Sequence, residues 1–445
     1  MRQRFEQQYS LGRVAIEDTE IRVSSRAAAY KIALALLEIY KTPQYNEEIF
    51  AILESYITKG KKETGRHGMD LWQIFVLAQY RLGMNLTYDE LDYMVNEDKT
   101  LRSLLGIQGN EFGVPQQEIS YQNLIDNLNL ITDEMMHKIN AVIVSFANGE
   151  VFKKKAAAGY ALKTDSYVVE SNVHFPTDYN LLWDCGPNKD ERLKECVGIY
   201  VKTTTELVNK LIDFLPSIPL GDDTLCWYYK IQLENYIILT IKHIDLLERR
   251  VMKGETIPHE EKMFSIFEQY TEWVNKGKPQ IELGKKLCIT TNDHGIIVDY
   301  RIMEHQADSQ IVIDIAADVL SKYKVASWSF DKAFYHQDNK AILADEVGNV
   351  IMPKKGKPNK IEKEEESQAK FKNLRNRHSA IESNINELEH RGLDRCPDRG
   401  YSHFKRYIGM GVCAYNLYKI GAKLREIKIE EQLRLRKEER LRLAA

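Results

Sequence analysis

The stretch Lys163-Thr164-Asp165-Ser166-Tyr167-Val168-Val169-Glu170-Ser171-Asn172-Val173-His174-Phe175-Pro176 is where the chain changes its period. Before it, apolar residues recur every three or four positions; here β-branched and aromatic residues crowd a two-residue alternation. Asp165, Tyr167, Val169, Ser171 and Val173 share one face, with Val168 and Glu170 on the other. The pattern predicts a strand over 164–175, ended by Pro176. A strand in a helix-rich chain makes the fold mixed α/β, and this strand carries an acid near its start.

Working back toward the N-terminus, helices are expected over 27–40, 49–57 and 71–82. Thr87 with Glu90 three residues later forms a capping box that opens another. Residues 1–150 thus read as an all-α domain for DNA contact or dimerisation, helix-turn-helix-like in its short helices and tight turns. Working forward, helical period returns after Leu182, with helices expected over 201–215, 225–252 and 259–274, separated by prolines. Strands resume at 287–291 and 296–303 around the turn Asn292-Asp293-His294-Gly295. A helix over 309–323 and a strand over 325–331, ending at Asp331, come next. Another strand is expected within 341–352, and a Lys- and Glu-rich loop over 353–366. Helices over 367–388 and 404–421 follow, with a mixed-charge helical tail over 426–443. The expected division is 1–150 helical; 151–185 with 286–425 catalytic; 186–285 a helical insertion; and 426–445 a charged tail.

The 445 residues exceed one average domain, and 43% hydrophobic with 29% charged residues is ordinary for a soluble globular protein. A formal charge of -3 does not advertise a polyanion partner, but basic residues cluster at Lys153, Lys154 and Lys155, at Lys354, Lys355 and Lys357, and from Arg375 to Arg399. Six cysteines without a CxxC pair argue against a disulfide framework and a structural zinc site. No apolar run approaches the ~18 residues of a membrane span, so a cytoplasmic, nucleoid-associated protein is expected.

Three acids stand out: Asp165 and Asp331 on strands, and Glu382 on a helix whose Ile381, Ile385 and Leu388 form an apolar stripe. Taken alone, each has an ordinary reading, as a turn or cap residue for the aspartates and a solvated helix residue for Glu382. Together they offer the hard oxygen ligands that two Mg²⁺ ions about 3.5–4 Å apart require for phosphoryl transfer. His174, His294 and His305 show no ligand spacing, and Glu304 and Asp308 sit where helix capping is the default.

The surroundings of those acids resemble a family. Asp165 to Asp178, followed by Leu181 and Leu182, is similar to the first catalytic block of bacterial insertion-sequence transposases of the DDE class. The stretch Ala380-Ile381-Glu382-Ser383, then His390 to Cys396, Asp398-Arg399-Gly400 and Ala414-Tyr415-Asn416-Leu417, resembles the late block. Gly65 to Met69 and Leu104-Leu105-Gly106 resemble the helical leader, and the nearest group is the ISNCY type.

The resemblance implies a ribonuclease H-like core with an all-helical insertion after the first strand. It also implies that Asp165 bridges two Mg²⁺ ions (Mn²⁺ as substitute) while Asp331 and Glu382 each bind one. The implied partners are double-stranded DNA, as transposon terminal inverted repeats and as target, and further copies of the chain in a homodimer or higher oligomer. Related transposases carry Tyr and Arg before the glutamate and Lys seven positions after it; here those positions are Arg375, His378 and Glu389. Arg377, Arg391 and Arg395 are expected to supply the phosphate contacts instead, with Lys153, Lys154 and Lys155. A metal-dependent nuclease on the same fold and an inactive DNA-binding scaffold remain the alternatives.

Overall fold

A computed structural model describes residues 2–5, 15–60, 67–107, 117–153, 159–173, 189–219, 223–258, 261–275 and 281–444. The chain divides into two compact units, residues 1–169 with 286–398 and 402–445, and residues 170–285 with 399–401.

In the first unit the strands are β1 (Tyr160–Glu170), β3 (Glu282–Thr291), β4 (Ile297–Ile302), β5 (Val325–Phe330) and β6 (Val350–Ile351), β1 and β3 each running on into the second unit. Their order is β4-β3-β1-β5-β6, with β4 antiparallel to β3 and both β5 and β6 parallel to their neighbours. An antiparallel hairpin joined to a parallel half is a mixed sheet compatible with a ribonuclease H-like transposase core. β1 starts four residues before the expected strand because Tyr160 to Leu162 pair with Val325 to Trp328, a partner invisible in local sequence. Its expected end at Pro176, with Asp178, Leu181, Leu182 and His174, lies outside the described residues.

The N-terminal helices α1 (Ala28–Lys41), α2 (Pro43–Ile57), α3 (Leu71–Gly83), α4 (Tyr88–Glu97), α5 (Lys99–Leu104), α6 (Tyr121–Leu128) and α7 (Asp133–Phe146) belong to this same unit. The Thr87 box forms: Glu90 N–H donates to Thr87 Oγ1 at 3.2 Å and Thr87 N–H to Glu90 Oε2 at 2.8 Å. α3 is buried along its whole length, and the exposed side of α4 carries Asp89, Glu90 and Glu97, a charge that repels phosphate.

Beyond the hairpin come α10 (Val312–Leu320), α11 (Gln337–Glu346), α12 (Lys360–Ser367), α13 (Ala369–His378), α14 (Ala380–Leu388) and α15 (Tyr401–Ala444). The strand expected within 341–352 is β6, only two residues long, because the first half of that range belongs to α11 with Leu343 turned inward. The 353–366 loop contains α12, nucleated by an Asn359–Glu362 capping box and tied by Lys354 to Glu362 at 2.8 Å. The two expected C-terminal helices are one, since no breaker lies between residues 421 and 426.

The second unit holds α8 (Lys189–Phe214), α9 (Thr224–Leu247) and the short strand β2 (Glu272–Val274), which pairs antiparallel with Glu282 to Gly284. The helix expected over 259–274 is absent from the described part of that range. Trp273 and Val274 are drawn into strand pairing, and Glu268 instead accepts the Gly400 N–H at 3.0 Å.

Candidate active site

Register is what assembles the site. Lys163 lies opposite Ser329 and Thr164 opposite Phe330 on the parallel pair β1–β5. The pairing stops there: β5 ends at Phe330, and Asp331, expected as the last residue of the strand, instead follows it and precedes the turn Lys332–Phe334 (φ -71°, ψ 165°). Asp165 and Asp331 are thus the residues next after the last paired positions of two neighbouring parallel strands.

Alternation puts Asp165 on the face of β1 that carries Lys163, and Ser329 on the matching face of β5. Thr164 turns to the other side, where its hydroxyl meets Thr290 at 2.8 Å and accepts from Trp328 Nε1 at 2.8 Å. On the aspartate side, Ser329 Oγ lies 3.0 Å from His378 Nδ1, which sets the end of α13 over β5. Tyr167, two residues past Asp165, is buried on that side, and its hydroxyl is pushed upward by burial and then by the charges of Glu389 and Asp394. Glu382, Ile385 and Glu389 fall on one helical stripe at spacings of three and four.

The three acids differ in how they are used. Asp165 is half-buried and accepts the Ser166 N–H at 2.7 Å. Asp331 is exposed and opens a short turn, Lys332–Phe334, but its side chain makes no capping hydrogen bond. Capping therefore does not account for it. Glu382 is exposed on the first turn of α14. Among the described residues, no group of three or more His, Cys, Asp or Glu is gathered closely enough to hold a metal ion. The structure puts Asp165 on β1, Asp331 just after β5 and Glu382 on α14, without closing the three into one ligand set. The donor chemistry nevertheless fits a hard divalent cation, because carboxylate oxygens are what Mg²⁺ and Mn²⁺ prefer.

His378 is the residue beside Asp331 that sequence reading recorded only as a departure. Burial pushes its imidazole down to about 4, Lys163 adds to that, and Asp331 opposes it. It is therefore neutral near pH 7, with Nε2 buried and lacking a hydrogen-bond partner among the described residues.

The expected phosphate-binding residues separate into kinds. Arg377, in the last turn of α13, and Arg395 are exposed, as is Lys153 with its left-handed φ of 46°. Lys154 and Lys155 lie outside the described residues. Arg391 is structurally engaged: it donates to the Gly83 carbonyl at 2.7 Å and covers the Tyr418 ring at 3.5 Å. Asp308 is no helix cap either; α10 has Ile311 in that position. Buried, it accepts from Ser166 Oγ at 2.5 Å and Lys286 Nζ at 2.8 Å, bracing β1 against β3.

Two anchors escaped the sequence reading although their motifs did not. Asp398 is buried between Arg81, at 2.8 Å, and Arg406, at 3.1 Å. Asn416 on α15 accepts the Ile297 N–H at 2.8 Å, donates to the Ile297 carbonyl at 2.9 Å, and donates to Asn140 at 2.8 Å. Their partners lie too far along the chain for any local signal to reveal them.

Residues 253–417 match the family model described as the transposase DDE domain. That supports a DDE transposase. The matched transposase segment contains Asp331 and Glu382, whereas Asp165 precedes it. No curated protein and no solved structure matches the chain. No described helix is long and apolar enough to cross a membrane.

Proposed function

We propose that the chain is an ISNCY-type transposase that hydrolyses a phosphodiester at each transposon end and joins the freed 3′-hydroxyl to target DNA. What supports this reading is the parallel pairing of β1 with β5 up to Thr164 and Phe330, the residues just before Asp165 and Asp331, with Asp331 inside the transposase-type segment.

In this reading Asp165, Asp331 and Glu382 hold the divalent ions, which polarise the phosphate and stabilise the attacking and leaving oxygens when bound. The protein's own part is positional. β1 carries Asp165, the paired end of β5 leads directly into Asp331, and the Ser329–His378 contact holds the helix end that leads to Glu382. Misplacement of such groups by ~1 Å can cost about 100-fold, which explains why they stand on paired elements. A neutral His378 adds no positive charge that would compete with a cation beside Asp331.

The test is a strand-cleavage and strand-joining assay on DNA carrying the element's own ends, with Mg²⁺ or Mn²⁺. Asp165→Asn, Asp331→Asn and Glu382→Gln should each reduce both steps by at least about 100-fold while leaving the far-UV spectrum intact. Full activity in any one of the three removes that residue from the site, and in all three it ends the proposal. Cut products without joined ones would make the protein a nuclease.

A further inference from the structure

We propose that, granted the catalytic role of Asp165 set out above, Asp308 is a positioning residue for the metal-dependent step and acts on Asp165 through Ser166. Three hydrogen bonds in series connect them. Lys286 Nζ donates to Asp308 Oδ2 at 2.8 Å, and Ser166 Oγ donates to Asp308 Oδ1 at 2.5 Å. The Ser166 N–H then donates to Asp165 Oδ1 at 2.7 Å. Ser166 therefore holds the Asp165 carboxylate with its backbone and is itself held by its side chain.

The far end of this series is anchored. Asp308 is 8% exposed and lies in the segment between β4 and α10. That segment is tied on both sides of Asp308. The Met303 N–H donates to the Lys286 carbonyl at 2.8 Å, and Asn339 on α11 donates to the Ser309 carbonyl at 2.6 Å. Lys286 stands on β3, the neighbour of β1 in the sheet. Asp308 thus ties the peptide that follows Asp165 to β3 and, through Ser309, to α11.

Stability does not account for the group. A buried ion pair gains little over apolar residues of the same volume, because both charges give up water. A brace between strands needs no charge either. Thr164, one step back on the same face of β1, meets the neutral partners Thr290 and Trp328. The charged acceptor stands instead at the residue whose N–H holds the acid. Metal-binding carboxylates are oriented by hydrogen-bonded neighbours in this way, and loss of such a neighbour costs about 10–100-fold in metal affinity or rate.

Metal binding tests this apart from turnover. In the intact chain without DNA, Ser166→Ala should raise the Mn²⁺ dissociation constant by about 10-fold, read from the paramagnetic resonance of free Mn²⁺. With DNA it should lower the cleavage kcat by about 10–100-fold and keep KM within about twofold of wild type. Ser166→Thr keeps the hydroxyl and should restore both readings. Ser171→Ala removes a contact of the same kind beyond the other end of β1, 2.6 Å from Thr271, and should change neither. Asp308→Ala should reproduce Ser166→Ala, and the two together should add nothing further; if Asp308→Ala unfolds, the serine variants decide. Unchanged Mn²⁺ affinity in Ser166→Ala overturns the proposal, as does an equal effect of Ser171→Ala or a threonine that fails to rescue. Full activity of Asp165→Asn ends the catalytic reading itself, whereas an inactive Asp165→Asn beside a normal Ser166→Ala ends only the role given to Asp308.

Discussion

Asp398 shows how much one side chain can hold. Burial alone would raise its carboxyl, but the hydrogen bonds and charges of Arg81 and Arg406 keep it below its ordinary value. The group links α3, the segment after α14 and the start of α15, with Arg406 also donating to Asn129 at 2.7 Å. Asp398→Asn leaves two buried guanidiniums without a counter-charge and should cost about 3–5 kcal/mol, read from urea unfolding. Because the native carboxyl titrates below the unfolded one, its stabilisation is complete above about pH 4 and fades as pH falls through the native value. Acid titration of wild type and variant should therefore converge at low pH; parallel curves would contradict the pairing. Arg391 is the opposite case to Arg377. Both were expected at phosphate, but the first is spent on Gly83 and Tyr418, so its loss should lower stability before it alters DNA binding.

At the scale of elements, α15 is the brace on which the sheet depends. Asn416 satisfies both backbone groups of Ile297 at the start of β4, so one side chain sets helix against strand. Asn416→Leu, close in volume, leaves those groups and Asn140 unpaired in a dry setting and should cost roughly 2–4 kcal/mol. Thermal unfolding checks it, and a change below the error of the measurement would mean that the clamp is dispensable. Two glycines do what no other residue can. Gly392, at φ 94°, lets the chain turn after α14 where a β-carbon would strike Asn85, and a β-carbon at Gly421 would overlap the Lys31 carbonyl of α1.

Across the whole molecule the formal charge of -3 conceals opposed local fields. DNA binding, if it uses exposed cations near the aspartates, should weaken linearly in log affinity against log salt. Arg377→Ala should reduce the magnitude of that slope by about 1, leaving sequence preference unchanged. A slope unmoved by the substitution would remove Arg377 from the DNA-facing surface.

The elements that carry the three acids were largely legible because their signals are local. The switch to strand period around Asp165 and the apolar stripe beneath Glu382 are written in runs of fewer than 15 residues, and the strand expected over 325–331 forms but stops one residue short of Asp331. The failures share a cause: residues 259–274 have a helical pattern, but strand pairing claims Trp273 and Val274. Residues 353–366 read as a charged loop, yet Asn359 and Glu362 cap a helix over Lys360–Ser367.

What the sequence by itself determined is the inventory: the mixed α/β class, and the strand and helix periods in which Asp165 and Glu382 sit. Only the tertiary structure decided that β1 pairs with β5 in parallel, that His378 meets Ser329, and that Asp398 belongs to Arg81. Periodicity reports which side of an element avoids water. It does not report which distant element covers that side, because burial is scored by the whole packed chain.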